Sequence, residues 1–196
     1  MEAKINAEIK ALHLQISKLE DQLTKHREKE QEVSDYEVKG RRAIFADTVK
    51  QTHKENRTGV IDYMKKLSWK TYLTGSIVYF MIIPFAFLDL SVTIFQKICF
   101  WAWEVPKVHR STFVFIDRHH LEYLNGIEKL YCIFCGYANG VIGFTREVAA
   151  RTEKFWCPIK HATKVVHAHE HYSDYLDYGD ASGWLTKDDN RDKDEG

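Results

Sequence analysis

The run from Thr71 to Leu88 holds 18 consecutive residues without a charged side chain. A helix needs about 20 mostly apolar residues to cross the ~30 Å hydrocarbon core of a bilayer, so this run predicts membrane insertion. Aromatic residues, which are enriched at lipid–water interfaces, lie at both ends of the wider apolar block: Trp69, Tyr72, Trp101 and Trp103. We therefore expect residues 69–105 to be a membrane anchor in contact with the lipid bilayer.

Two arrangements of the anchor fit its length. A single span of ~30 Å ends near Leu90 and leaves the remaining residues at the interface. In the other arrangement Pro84 breaks the helix, and the block forms a re-entrant hairpin that turns at Pro84–Asp89. The positive-inside rule slightly favours the hairpin, because basic residues flank the block on both sides. They are Lys50, Lys54, Arg57, Lys65, Lys66 and Lys70 before the block, and Lys107, Arg110 and Arg118 after it.

Asp89 and Lys97 are the only charged residues between positions 71 and 103. The turn of a hairpin would bury the Asp89 carboxylate, which is a weakness of that arrangement. Ionisable groups inside a membrane usually face a partner, so we expect Asp89 to have one. With both flanks basic, we expect the inner (cytoplasmic) membrane as the location, with the soluble parts facing the cytoplasm.

The N-terminal segment, residues 1–35, carries a heptad repeat. Apolar residues recur at alternating spacings of four and three, as in a coiled coil: Ile5, Ile9, Leu12, Ile16, Leu19 and Leu23. Mostly Ile at one seam position and Leu at the other favours a parallel two-stranded coil. We predict a homodimer through residues 5–23, and the alternative is an amphipathic helix that packs on its own domain.

The composition excludes several functional classes. Lys and Arg together number 28, as do Asp and Glu, and this balance argues against a nucleic-acid partner, which usually requires a basic excess. Four cysteines are too few for a disulfide-dense secreted scaffold. The sequence has no phosphate-binding glycine loop and no nucleophile-elbow motif, so enzymatic activity stays undecided.

These patterns predict a mainly α-helical chain of five segments. They are a coiled-coil helix, a basic helical linker, the membrane anchor, a small helical Cys/His domain stabilised by a metal, and a disordered acidic tail. Their bounds are 1–35, 36–68, 69–105, 106–178 and 179–196. Within the Cys/His domain the apolar spacing predicts one helix over 119–130 and a second over 141–156.

Three cysteines and one histidine of that domain have the spacing of a metal site. Cys132 and Cys135 form a C-x2-C pair, and Cys157 and His161 form a C-x3-H pair. Together they make a Cys3His set, which is common in closed tetrahedral zinc sites. Iron or an iron–sulfur cluster is the alternative, because thiolates suit both. A closed zinc site leaves no open position for a substrate, which favours a structural role.

The chain between the two pairs restricts this site. If residues 139–156 form one helix, its ends lie ~26 Å apart, and Cys135 and Cys157 cannot bind the same ion. A second cluster would then form between two antiparallel helices, with Glu153, Cys157 and His161 opposite Asp117, His119 and His120. A metalloenzyme would use the neighbourhood of Asp117, His120, Glu153 and His161. Buried thiols with a hydrogen-bonded histidine are the third interpretation.

Histidines alternate at positions 167, 169 and 171. They suit an accessory metal patch or a pH-sensitive surface. No neighbouring motif supports such a site, so we favour a solvated helix end.

Several stretches resemble a family of uncharacterised bacterial membrane-anchored proteins that carry a C-x2-C pair and a Cys-Pro-Ile-Lys-His element. They are Ile83–Asp89, Asp117–Asn125, Glu128–Lys129, Cys132–Gly140 and Arg151–Ala162. The resemblance covers about residues 70–162. It implies a bacterial inner-membrane setting and brings no activity.

Together these patterns lead us to expect a membrane-anchored metal-binding protein with a structural, assembly or scaffolding role, with protein partners in the membrane. A membrane-bound iron or iron–sulfur electron carrier is the first alternative, and a metalloenzyme is the second.

Overall fold

The structure is a computed structural model that describes residues 2–32, 36–39 and 42–194. It is mainly α-helical, with 70% of residues in helices, which confirms the predicted fold class at that level. The chain divides into two compact units. One comprises residues 1–62 and 117–129, and the other comprises residues 63–116 and 130–196. The apolar block and most of the Cys/His region belong to the second of these units.

The first unit begins with helix α1, Glu2–Glu32, over the predicted coiled-coil segment. Two strands follow, β1 (Tyr36–Lys39) and β2 (Arg42–Phe45), which pair antiparallel with Tyr36 opposite Phe45. The expectation of a wholly helical linker over 36–68 is wrong here. The alternating apolar and polar residues of β1 suit a strand, and the rings of Tyr36 and Phe45 pack 5.4 Å apart.

Two short helices complete the linker. Helix α2, Asp47–Glu55, carries Asp47 in its first turn and Lys54 in its last, the charges that a helix dipole favours at those ends. Helix α3, Val60–Lys66, follows after a short turn and leads into the apolar block. This part of the linker is helical as predicted.

The apolar block forms helix α4, Trp69–Phe80, followed by helix α5, Ile82–Ala102. Met81 between them keeps helical dihedral angles, φ −66° and ψ −12°, so the two run as one apolar helix of 34 residues. The hairpin predicted at Pro84–Asp89 is therefore wrong. Pro84 has no N–H to donate to Phe80 O, and the boundary between α4 and α5 falls at this point, but Phe85 N donates to Met81 O at 3.3 Å, so the helix continues past the proline.

We define residues 103–116 as the connector. It leaves the end of α5 and returns along this helix. After residues 117–125 the chain enters helix α6, Gly126–Trp156. The two predicted helices are in fact this single helix, which starts later than expected. Asn125 and Glu128 form a capping box: Asn125 Oδ1 accepts from Glu128 N at 3.1 Å, and Glu128 Oε2 accepts from Asn125 N at 2.9 Å.

Helix α6 runs beside α4 and α5 in the same direction. Aromatic rings contact each other along the two helices. The first pair is Tyr79 and Tyr131, with 5.3 Å between ring centroids. The last is Trp103, just after α5, and Phe155, with 5.2 Å between centroids. The connector contributes to the core of this unit, which contains Phe100, Val108, Phe144 and Val148. Side chains and the connector therefore join α5 to α6.

The chain after α6, residues 157–178, forms an irregular segment that we call the strap. Tyr175 is buried and donates its hydroxyl to Ala150 O of α6 at 3.1 Å. Helix α7, Ala181–Asp194, follows where we expected a disordered tail over 179–196. Asp180 accounts for this difference, because its carboxylate accepts from Gly183 N at 2.9 Å and from Ser182 Oγ at 2.8 Å, which caps the helix.

Candidate functional site

The predicted metal ligands lie at opposite ends of α6. Cys132 and Cys135 lie in its first third, and Cys157 follows its last residue, Trp156. The 21 residues from Cys135 to Trp156 rise ~32 Å along a straight helix. Two thiolates that bind one zinc ion, each at ~2.3 Å, can be no more than ~4.6 Å apart. The structure therefore does not bring the four residues together within one chain.

The C-x3-H pair lies in the strap. Cys157 and His161 are both exposed, and the backbone N–H of His161 donates to Tyr172 Oη at 2.7 Å. Within the described ranges, no three His, Cys, Asp or Glu side chains are grouped so as to hold a metal ion. Asp117, His119 and His120, named for the second predicted cluster, belong to the first compact unit.

Asp89 has the partner that the sequence requires. Arg110, from the connector, donates Nε to Asp89 Oδ1 at 2.8 Å and Nη2 to Asp89 Oδ2 at 2.7 Å. Tyr137, from α6, donates its hydroxyl to the same Oδ2 at 3.0 Å, and the guanidinium carbon of Arg110 lies 5.9 Å from its ring centre. We call these three residues the Asp89 cluster. It joins α5, the connector and α6 at one point.

The geometry of the Asp89 cluster suits an ion pair that is partly removed from water. Its hydrogen bonds are bidentate, which is the strongest form of an arginine–carboxylate pair. The bond to Asp89 raises the pKa of Arg110 above its usual value, against the opposing effect of burial. The cluster therefore holds α5, the connector and α6 together.

A second polar group lies where α6 meets the strap. His169 Nε2 lies 2.9 Å from Glu153 Oε2, and His171 Nε2 lies 3.4 Å from Glu147 Oε1. Arg151 donates Nε to the same Glu147 oxygen at 2.8 Å. Burial raises the pKa of Glu147, but hydrogen bonds from Arg151 and His171 outweigh it and hold this pKa below its ordinary value. His169 and His171 are thus partly buried and contact carboxylates, which differs from the solvated helix end that we favoured.

Among the described residues, one face of the helix formed by α4 and α5 is exposed. The most hydrophobic 18-residue window of α4 and α5 has a mean hydropathy of 2.1 and contains no buried residue. Large exposed side chains follow one another along this face, and we call them the apolar stripe: Trp69, Leu73, Ile77, Phe80, Ile83, Phe87, Leu90, Ile94, Ile98 and Trp101. Among the residues that the structure describes, this is the one helix long and apolar enough to cross a membrane.

Sequence reasoning found Asp89 but not its partners. Arg110 was assigned to the basic flank, and Tyr137 carried no signal of its own. The one available clue was the cost of an unpaired carboxylate in an apolar block, which predicts that a partner exists but not which residue it is.

Comparison of the chain with protein-family models, with curated proteins and with solved structures gives no significant match.

Proposed function

We propose that this protein is a membrane-anchored structural protein whose N-terminal helix joins copies of the chain into an assembly. The observation that carries the proposal is the apolar stripe, because a 34-residue apolar helix with no buried residue in its most hydrophobic window needs a cover. Contiguous apolar surface of this extent marks a membrane or protein interaction site. The absence of charge from Thr71 to Leu88 favours lipid as the cover.

The polar side chains of α4 are compatible with lipid. Thr74 donates its hydroxyl to Lys70 O at 2.9 Å, and Ser76 donates to Tyr72 O at 3.2 Å. Each hydroxyl proton is therefore used within the helix, as in helices inside membranes. An unsatisfied donor in hydrocarbon would cost several kcal/mol, so these bonds remove an obstacle to insertion.

The assembly role depends on α1. Four of its predicted seam residues have described side chains, and all four are exposed: Leu12, Ile16, Leu19 and Leu23. The side chains of the other two, Ile5 and Ile9, lie outside the described ones. An exposed row of this spacing is what a second copy of the helix would cover in a parallel coiled coil. The basic residues beside the anchor support the inner (cytoplasmic) membrane as location, with these parts in the cytoplasm.

Metal binding is not part of this proposal. Helix α6 separates the two predicted ligand pairs by ~32 Å. Zinc bound by Cys132, Cys135, Cys157 and His161, or iron or an iron–sulfur cluster in its place, stays a prediction that metal analysis of the purified protein tests directly.

Fractionation of cells that produce the full chain tests the membrane role. We expect the protein in the membrane pellet, resistant to an alkaline carbonate wash and released by detergent. The triple variant Phe80→Lys, Phe87→Lys, Ile94→Lys places three charges on the apolar stripe and is expected to move the protein to the soluble fraction, because charge opposes insertion.

A charge-matched variant serves as the control. Thr48→Lys, Gln51→Lys and Asn56→Lys add the same charge at exposed positions in and just after α2 and should leave the protein in the pellet. Recovery of the unmodified chain in the soluble fraction would reject the proposal.

A further inference from the structure

The apolar stripe is longer than the hydrocarbon core of a bilayer. From Trp69 to Trp101 it extends 32 residues, which is ~48 Å at 1.5 Å per residue. The hydrocarbon core measures ~30 Å, and the headgroups bring the bilayer to about 40–45 Å. A spanning helix with the whole stripe in hydrocarbon would tilt by about 50°, and one with both tryptophans among the headgroups by about 20–35°, against 0–40° or so seen for membrane helices. The polar groups around the helix therefore decide whether it spans or lies flat.

The stripe also keeps to one side of the helix. At ~100° per residue, its ten members lie within about 80° of one line along α4 and α5. Asp89 and Gln96 lie on the opposite side, where they bond to the connector and α6. The helix is therefore apolar on one side and polar on the other along its second half, although its own composition is apolar almost throughout.

The polar side of α5 is occupied by irregular chain. Gln96 Oε1 accepts from Val108 N at 2.8 Å, and Gln96 Nε2 donates to Val108 O at 3.2 Å. On either side of Val108, the connector residues Lys107 and His109 are exposed. Irregular, polar backbone does not face lipid within the hydrocarbon region. Lipid therefore cannot surround this half of the anchor as it surrounds a spanning helix.

Both ends of the apolar helix carry tryptophan and lysine residues, which suit the surface of a membrane. Trp69 and Trp101, the first and last residues of the stripe, are 70% and 77% exposed, and tryptophan prefers the depth of the headgroups. Exposed lysines accompany both ends: Lys65, Lys66 and Lys70 at one, and Lys97 and Lys107 at the other. Basic residues are attracted to the surface of a leaflet rich in anionic lipid.

We propose that α4 and α5 lie flat in one leaflet of an anionic membrane, with the apolar stripe among the acyl chains and the connector and α6 on the water side. This inference rests on the proposed membrane role and specifies how the anchor meets lipid. Helices that lie in the interface usually have a polar face of their own. Here the connector supplies that polar face, so α4 and α5 can be as apolar as a spanning helix and still lie flat. Both ends of the anchor are then on the same side of the membrane.

Site-directed spin labels measure the depth of the stripe. The full chain, with its four cysteines changed to serine, is placed in phosphatidylethanolamine–phosphatidylglycerol vesicles and carries one label through Leu73→Cys, Phe87→Cys or Ile98→Cys. The ratio of collisions with oxygen and with a water-soluble nickel chelate gives depth. A flat helix places all three labels at one shallow depth, about 5–10 Å below the headgroups, whereas Thr74→Cys, on the other side of the helix, reports water.

A depth profile with its maximum near Phe87 and the two end labels near opposite surfaces would overturn the flat arrangement. If no label is protected and the protein does not bind the vesicles, the membrane role itself fails, which is a distinguishable outcome.

The unmodified chain offers a second measurement that does not depend on the folding of the cysteine-free variant. Trypsin added to one side of sealed membrane vesicles should cleave at both Lys66 and Lys107, since both are exposed and the flat helix keeps them on one side. Cleavage at only one of the two from a given side indicates a crossing and contradicts the proposal.

Discussion

Gly140 shows how a single side chain sets the packing of this protein. Glycine inside a helix costs about 1 kcal/mol relative to alanine, and α6 contains three of them around this position. At Gly140 an added Cβ would lie 2.6 Å from Val114 Cα and 2.9 Å from Phe113 O. Both are backbone atoms, which cannot rotate away as a side chain can. The connector can lie against α6 because residue 140 has no side chain.

We therefore expect Gly140→Ala to destabilise the protein by about 1–3 kcal/mol, the usual cost of overpacking. The thermal unfolding midpoint in detergent, followed by circular dichroism, measures the change. Gly126→Ala is the matched control, because its Cβ would meet no atom within 4 Å, and alanine should leave the midpoint unchanged or slightly raised. Equal effects of the two substitutions would show that the connector does not pack on α6 in this way.

The position of the strap depends on ionisation. It lies against α6 through Tyr175, whose pKa is raised by burial, and through the pairs of His169 with Glu153 and of His171 with Glu147. Because the pKa of Glu147 is lower in the fold than its ordinary value, the charged carboxylate stabilises the folded strap. This contribution is fully present above the unfolded pKa and is lost as the pH falls through the folded one.

We expect hydrogen-exchange protection of the strap amides, corrected for the intrinsic effect of pH, to fall as the pH drops below about 4.5. Glu147→Gln should lower protection already at neutral pH and flatten its dependence on pH, because the amide cannot carry the charge that Arg151 and His171 bind. Glu170→Gln, which changes an exposed carboxyl in the same strap, serves as the control and should keep the dependence of the unmodified chain. An unchanged profile for Glu147→Gln would exclude this role.

The proposed assembly of the protein rests on α1, the longest helix of the first unit. Its exposed leucines are of two kinds. Leu19 lies on the predicted seam, whereas Leu14 lies off it, and the two are similarly exposed, at 63% and 59%. The heptad pattern therefore predicts that Leu19 contacts a second copy and that Leu14 does not, whereas exposed hydrophobicity alone would not distinguish the two.

Leu19→Ala should weaken self-association of the full chain by about tenfold or more, since loss of a buried leucine costs about 2–5 kcal/mol and each 1.4 kcal/mol is a factor of ten. Leu14→Ala should leave it unchanged, and Leu19→Pro should abolish it by breaking the helix. The molar mass from light scattering in detergent, measured over a range of concentrations, reports these differences. Equal behaviour of the two alanine variants would remove the coiled coil.

Local patterns in the sequence were sufficient for the features that depend on neighbouring residues. The uncharged run from Thr71 to Leu88 predicted membrane insertion, and it lies in a helix long and apolar enough to cross a membrane. The spacing of apolar residues predicted helix α1 and the helical content of the chain. Membrane insertion and helix formation are each predicted from a single segment, because hydropathy and periodicity depend on residues that are close in the sequence. The expectation that Asp89 has a partner also followed locally, from the cost of an isolated carboxylate.

The three-dimensional contacts decided what depends on residues far apart in the chain. Pro84 was expected to break the helix, but the helix continues past it, and Gly140 lies where the connector packs against α6. The same continuity of α6 separates Cys135 from Cys157, and the return of the connector along α5 brings Arg110 to Asp89 across 21 residues. No local pattern contains this information, because it arises only when distant segments compete for the same buried surface.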